Sequence, residues 1–316
     1  MIMKSKLIKK YFTTVVLGLI CLNALAQQDA MFTHYMYNTL AVNPAYAGSR
    51  DALTVTGIHR SQWIGMEGAP KTQTLTMHTP INPFQMNNLG LGLSVINDQI
   101  GPLKTTSLFA DFAYMLTTGE KSKLVFGLKG GGRIFTASLD DLQLENSVDE
   151  AFQGGSISKF LPNMGFGLYF HMPRFYAGIS APKLFENSIS STSNIVTNPE
   201  QRHYFMILGS VFKLSDKLDL KPSSFIKLTA AAPVEADINL TFILNKSFLF
   251  GAAYRTGDAA SALIGYQISN QLLAGYSFDW SFGVTTGKYN SGSHEIMLRY
   301  DFVYRDKQKV RSPRYF

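Results

Sequence analysis

The chain is poor in several things, and each shortage closes off a class of protein. Its 316 residues hold one cysteine, Cys21, and that lies in a leading segment of different character. Disulfide frameworks, thiolate metal sites and cysteine nucleophiles are therefore excluded for the remainder. Beyond residue 26 no run of 18 or more apolar residues occurs, which excludes a bundle of membrane-crossing helices. Charged residues make up only 16% of the chain, while 23 Phe and 15 Tyr supply more apolar surface than a disordered chain carries. The length suits one large domain or two of ordinary size.

A nucleic-acid-binding reading also fails once the charge is located. The formal charge is +7. Residues 1–26 carry Lys4, Lys6, Lys9 and Lys10 with no acid, then an apolar run from Tyr11 to Leu25 and the small-x-small triplet Ala24-Leu25-Ala26. This is the pattern of a secretory signal peptide cut near Ala26-Gln27. Ile20 is too bulky for a lipoprotein signal at that place. Residues 305–316 hold five basic residues, among them Lys307, Lys309, Arg311 and Arg314, against Asp306 alone. Residues 27–304 hold 20 basic and 21 acidic residues. The body is nearly neutral, so no nucleic-acid partner is expected.

What the body does hold is alternation. Ile296, Leu298, Tyr300 and Phe302 share one parity, and Glu295, Met297, Arg299 and Asp301 the other. Residues 235–244 and 272–281 repeat this, with Ile238, Leu240 and Phe242 against Asp237, Asn239 and Thr241, and Tyr276, Phe278 and Trp280 against Ser277, Asp279 and Ser281. A soluble sandwich would bury the apolar face; a transmembrane barrel would turn it to lipid. The apparent strands run about 9–12 residues, which suits a tilted crossing of a bilayer better than a soluble strand. They fall near 52–59, 71–79, 89–96, 104–116, 123–135, 162–171, 174–180, 202–213, 218–230, 234–244, 247–256, 259–268, 271–280 and 294–304. The expected fold is thus an all-β transmembrane antiparallel barrel of about 14 strands, an even number as bacterial single-chain barrels have. The four longest connections (60–70, 136–161, 181–201 and 281–293) are all odd-numbered, and so lie on the outer face if both barrel ends are periplasmic.

The expected organisation is a signal peptide at 1–26, an N-terminal segment at 27–51, the barrel at 52–304 and a basic periplasmic tail at 305–316. The segment 27–51 holds Phe32, Tyr35, Tyr37 and Tyr46 with the turn-forming Asn43-Pro44 and Gly48. So many aromatics imply packing on the barrel or inside its lumen. On the outer face, Trp63, Ile64 and Met66 are apolar without a strand pattern, as in loops that fold back into a lumen or meet a partner. Asp140, Asp141, Glu145, Asp149 and Glu150 form an acidic loop, and such long outer loops commonly carry binding. Those carboxylates do not follow an EF-hand spacing. Inward-facing charges of both signs fit lumenal ion pairing better than a selective pore, which favours one sign.

Chemistry of bond-making is thinly represented. His34, His59, His78, His171, His203 and His294 are scattered, with no metal-ligand spacing. Gly130-Gly131-Gly132 is not followed by Lys-Ser/Thr, so the triplet reads as strand glycine that relieves curvature or admits a plug. No cofactor, metal or catalytic residue is expected. A hydrolase would need a Ser and a His within hydrogen-bond reach, which the sequence does not place.

The runs QQDAMFTHYMYNTLAVNPAYAGSR (27–50) and HRSQWIGMEGAPKTQTLTMHTPI (59–81), with the terminal SPRYF (312–316), closely resemble the PorP/SprF family of type IX secretion system membrane proteins. The resemblance spans the whole chain after the leader. It implies an outer-membrane barrel of Gram-negative bacteria that acts in secretion and gliding. It further implies that the barrel receives the C-terminal domain of a secreted adhesin, holds it at the cell surface, and is coupled to the periplasmic secretion ring and peptidoglycan-associated components. The basic tail is then a candidate contact for that machinery. A passive diffusion porin is the alternative function.

Overall fold

The computed structural model describes residues 31–50, 52–81, 88–138, 156–187, 200–230, 232–282 and 290–302. The wall is built from β1 (Leu53–Ser61), β2 (Lys71–Ile81), β3 (Leu89–Ile100), β4 (Leu103–Gly119), β5 (Ser122–Ser138), β6 (Ser156–Met172), β7 (Phe175–Ala181) and β8 (His203–Ser210). It continues through β9 (Phe212–Lys213), β10 (Leu218–Thr229), β11 (Ala232–Leu244), β12 (Phe248–Arg255), β13 (Ala259–Gln267), β14 (Leu272–Ser281) and β15 (Ser293–Phe302). All pairings between neighbours are antiparallel, and β1 closes the ring on β15, with Val55 opposite Tyr300 and Arg60 opposite Glu295. Closure removes the free edges that an open sheet would present.

Fifteen segments make fourteen staves. Both β8 and β9 pair with β10, Gly209 opposite Ser223 and Phe212 opposite Leu220. The stave is interrupted at Val211, whose N–H donates to Arg174 O on the β7 side, while the register with β10 runs on across the gap. The expected strand 202–213 is therefore one stave in two pieces, and the even count holds.

Side chains follow the parity read from the sequence. Glu295, Met297, Arg299 and Asp301 are buried towards the lumen, while Ile296, Leu298 and Phe302 face outward. Leu128 at 63% and Trp280 at 72% relative exposure are typical of an outer surface that bilayer lipid would cover. The connections at the Leu53 end are tight where described: Glu120-Lys121, Pro173-Arg174, 214–217 and 245–247. The long ones all lie at the opposite end, which is the outer end by the usual asymmetry of these barrels.

One difference from expectation concerns height. β4, β5 and β6 each span seventeen residues and stand taller than their neighbours, since β6 pairs with β7 only through Phe166–Met172. Polar residues such as Thr136 and Ser138 keep the pairing register above the apolar belt, where a hydrophobic alternation no longer marks the strand. A second difference concerns Gly130-Gly131-Gly132. β5 runs through them, but no plug approaches: a Cβ on Gly130 would meet nothing within 4 Å, and one on Gly132 would meet Phe160 of β6.

Candidate functional site: a plugged lumen and its outer rim

Residues 31–50 lie inside the barrel. They form a 3-10 turn at Tyr35–Tyr37, one helical turn at Thr39–Val42 and a second 3-10 turn at Pro44–Tyr46. The last turn is set by its own sequence. Asn43 caps it by accepting from Ala45 N–H at 3.0 Å, and Pro44 supplies the first helical position, where no N–H is needed. Gly48 then turns with φ +72°, in the left-handed region that glycine adopts without penalty.

This turn is keyed to the wall. Asn43 Nδ2 donates to Leu168 O at 3.0 Å and Ile179 O at 3.4 Å, across the β6–β7 pair. Such close approach requires bare backbone. A Cβ at Gly127 would stand 2.1 Å from Ala45 N, and one at Gly167 would stand 2.1 Å from Asn43 Oδ1. Tyr46 packs edge-on against His78 and Tyr169, at centroid distances of 5.1 and 5.5 Å. Around it Tyr35, Met36, Leu40, Ala45 and Ala47 share one apolar core with Met115, Val125, Tyr176, Phe205, Ile207 and Phe225 of β4–β10. Asn43, Pro44, Tyr46 and Gly48, the turn-forming and aromatic residues of the N-terminal segment, all lie in the lumen.

The other wall holds the plug by charge. Glu295 accepts from the backbone N–H groups of Thr33 at 3.0 Å and His34 at 2.7 Å, and its Oε1 lies 2.8 Å from His34 Nδ1. Arg60 reaches Asp279 at 2.6 Å and Glu295 at 3.4 Å, and also donates to Thr33 Oγ1. Arg50 pairs with Asp301 at 2.8 Å near the periplasmic end. Although burial opposes its charge, Tyr46 and Asp301 hold the Arg50 guanidinium above its ordinary value, so it stays charged. Lys221 and Arg299 sit over the ring of Tyr37 at 4.8 and 5.3 Å. Tyr37 and Tyr35 keep their protons because burial raises both phenols. Elsewhere in the lumen Lys129 pairs with Asp111 at 2.9 Å and Arg255 with Asp237 at 2.9 Å. The mixed charges thus pair across the wall and with the plug. Buried charges are tolerated only when so matched.

Above the plug, towards the outer end, lies a cavity of about 250 Å³. Phe32 and Val42 of the plug line it, with Phe109, Phe135, Phe205 and Arg133 of the wall. Arg133 is paired with Glu200. Asp98, Lys129, Lys183, Thr105 and Ser107 also line it, so its surface mixes apolar rings with charged and hydroxyl groups.

At the rim, the first outer connection is tied to the last. Ile64 N–H donates to Gly292 O at 2.9 Å, Ser291 N–H donates to Ile64 O at 2.8 Å, and Trp63 N–H donates to Ser293 Oγ. Trp63 and Met66 are half-buried and Ile64 is exposed. These three residues therefore form a braced ridge on the outer edge and do not enter the lumen. Asp140, Asp141, Glu145, Asp149, Glu150, Lys307, Lys309, Arg311 and Arg314, like the leader with Cys21, lie outside the described residues. Among the described residues, no group of three His, Cys, Asp or Glu is placed to hold a metal ion.

Arg60 and Asp111 both had a legible signal in inward parity, which the expected end of the first strand at residue 59 hid for Arg60 alone. Arg60 shares inward parity with Thr54, Thr56 and Ile58, but β1 outlasts its apolar alternation by two residues. Asp111 shares parity with Phe109 and Ala113.

The profile of one protein family, "Type IX secretion system membrane protein PorP/SprF", matches residues 24–300. No curated protein matches the chain. Among solved structures, the CymD monoaromatic hydrocarbon channel is similar at a TM-score of 0.51 and 12% identity, covering 85% of this chain and 93% of its own. A Pseudomonas aeruginosa FadL homologue gives 0.46 and 12%, covering 83% and 93%. Acinetobacter baumannii outer membrane protein Omp33 gives 0.46 and 9%, covering 79% and 98%. At 12% identity the likeness to the CymD channel speaks for the fold alone.

Proposed function

Because this chain belongs to the type IX secretion system membrane protein family PorP/SprF, we propose that it binds a secreted surface protein on its outer face and anchors it to the cell. In this reading the barrel is coupled beneath to the periplasmic ring and peptidoglycan-associated components, and it serves gliding as well as secretion. It works by docking, with no bond made or broken. The chain reaches the outer membrane as a precursor whose leader is cut near Ala26-Gln27.

The observation that carries this reading is the occupied lumen. A diffusion porin needs an aqueous path. Here that space holds residues 31–50, fastened by glycine contacts on one side and by ion pairs on the other. The outer rim, with its long connections and the braced Trp63–Met66 ridge, is what the barrel offers to a partner. The test is crosslinking in the native membrane, capture of the barrel and mass spectrometry. A large secreted surface protein and a periplasmic ring protein should both be recovered; recovery of neither removes the proposal.

A further inference from the structure

Among the described residues, the periplasmic end of the barrel carries its exposed charge on one side. Four consecutive periplasmic turns, at 120–121, 173–174, 214–217 and 245–247, join eight adjacent staves from β4 to β12. On and beside them stand Lys121, Arg174, Lys213, Lys217 and Lys246, all exposed, against Glu120 and Asp216. Asp216 is already committed to Lys213 at 2.6 Å. The next periplasmic turn round the ring, 268–271, has no charged residue. At about 4.8 Å between staves, the arc covers roughly 30 Å of rim. A standard protein interface, at about 800 Å² per partner, has a similar width.

The tips of this arc are braced to one another. Arg174 O accepts from both Val211 N–H and Ser210 Oγ, each at 2.9 Å. Leu214 and Ser215 N–H both donate to Leu218 O, at 2.9 and 3.0 Å, and close the next turn. Asn245 N–H donates to Lys217 O at 2.7 Å, so the third turn is tied to the fourth. In that fourth turn Ser247 N–H donates to Leu244 O across Asn245 and Lys246, whose φ angles are +50° and +59°. A hairpin turn with both central residues left-handed favours Asn-Gly. The asparagine is present, but a lysine stands where glycine would be free of strain. A strained cation on a braced tip is not something local folding calls for, and such outliers gather at functional sites.

We infer that this arc is a docking surface for an acidic face of a periplasmic protein. Its one-sidedness selects that class of partner. Lipid headgroups and the cell-wall mesh meet a barrel all the way round, whereas a folded protein meets one side of it. The sign of the charge sets what that protein must present, because clustered cations disfavour any surface that is not acidic. Being exposed, the contact weakens as salt rises. It rests on the periplasmic coupling proposed above and gives that coupling a place on the barrel.

The test exploits a chain without cysteine after its leader. The full-length protein is produced in its native host with Ser215→Cys in the arc, or with Asn270→Cys in the uncharged turn. The outer membrane is opened, and a maleimide–benzophenone reagent is attached and photolysed. Ser215→Cys should give a protein adduct whose contacted peptide, read by mass spectrometry, is rich in Asp and Glu, and Asn270→Cys should give little of it. Adding Lys121→Gln, Arg174→Gln, Lys217→Gln and Lys246→Gln should lower that adduct about tenfold, the worth of a few exposed ion pairs. The charge-keeping set Lys121→Arg, Arg174→Lys, Lys217→Arg and Lys246→Arg should restore it. Heat-dependent gel mobility verifies that every variant is folded. A periplasmic protein recovered equally from both sites, or unmoved by charge removal, overturns the arc and leaves the coupling standing. Recovery of no periplasmic protein from either site removes both. An adduct to lipid or to cell-wall fragments alone also overturns it.

Discussion

Two walls face each other across this lumen and hold the same short segment by different physics. The wall of β4–β8 is largely apolar and glycine-notched, with the Lys129–Asp111 pair as its charged exception, and it takes Asn43–Ala47 by shape: bare backbone at Gly127 and Gly167, rings of Tyr169 and Tyr176, and one capped turn. The wall of β14, β15 and β1 is charged, and it takes Thr33, His34 and Arg50 by matched ion pairs and hydrogen bonds. Shape contacts fix where the plug sits to a fraction of an ångström but are indifferent to small changes in charge. Charge contacts tolerate slight movement, yet one missing partner leaves a buried ion uncompensated. A segment held both ways cannot slide without losing one set of contacts.

The sharpest way to break this pairing is on the charged side. Glu295→Ala leaves Arg60 short of a partner and two plug N–H groups unsatisfied, and should cost about 3–5 kcal/mol. Denaturant unfolding of the purified barrel in detergent would measure it; a change indistinguishable from zero would mean that the charged wall does not hold the plug. On the opposite wall, Gly127→Ala drives a Cβ into Ala45 and should cost about 1–3 kcal/mol through overpacking. The control is Gly130→Ala on the same strand, which meets nothing. Equal effects at the two sites would refute the keyed seat.

Smaller still is the cap itself. Asn43→Ala should cost about 1 kcal/mol from the lost N-cap alone, with proteolysis of the plug rising in step. Smallest is a phenol. Burial raises Tyr35 above its ordinary value of 10.0, with Asp237 adding to this against Ser223 and Arg255. A folded-state value above the unfolded one means that its contribution is present below about pH 10 and fades as pH climbs past it. Tyr35→Phe also removes the 3.1 Å hydrogen bond to Ser223, so at neutral pH it should cost no more than about 1 kcal/mol. Its unfolding midpoint should fall less steeply above pH 10 than that of the unaltered barrel. Parallel curves would show that this phenol titrates normally.

These walls were unequally legible beforehand. Inward parity alone marks Asp279, Glu295, Arg299 and Asp301 as lumenal, because a strand's side chains alternate whatever the rest of the protein does. The same rule extends to Arg60 once β1 is given its full length. The glycine seats are different. Gly127 and Gly130 lie three residues apart on one strand; parity turns Gly127 inward with Val125 and Lys129 and Gly130 outward, but only the position of Ala45, far away along the chain, makes the inward one a seat.

Alternation, strand length and connection order were enough to specify an outer-membrane barrel of fourteen staves with long connections on one face, since each depends on neighbouring residues. Which residues pair, and the place of the plug inside the lumen, were decided by tertiary structure alone. Thr33 with Asp279 and Arg50 with Asp301 are partners more than two hundred residues apart. Nothing in local pattern distinguishes a segment that packs inside the lumen from one that packs on the barrel. That choice is made by where closure of the ring brings the buried donors and acceptors together.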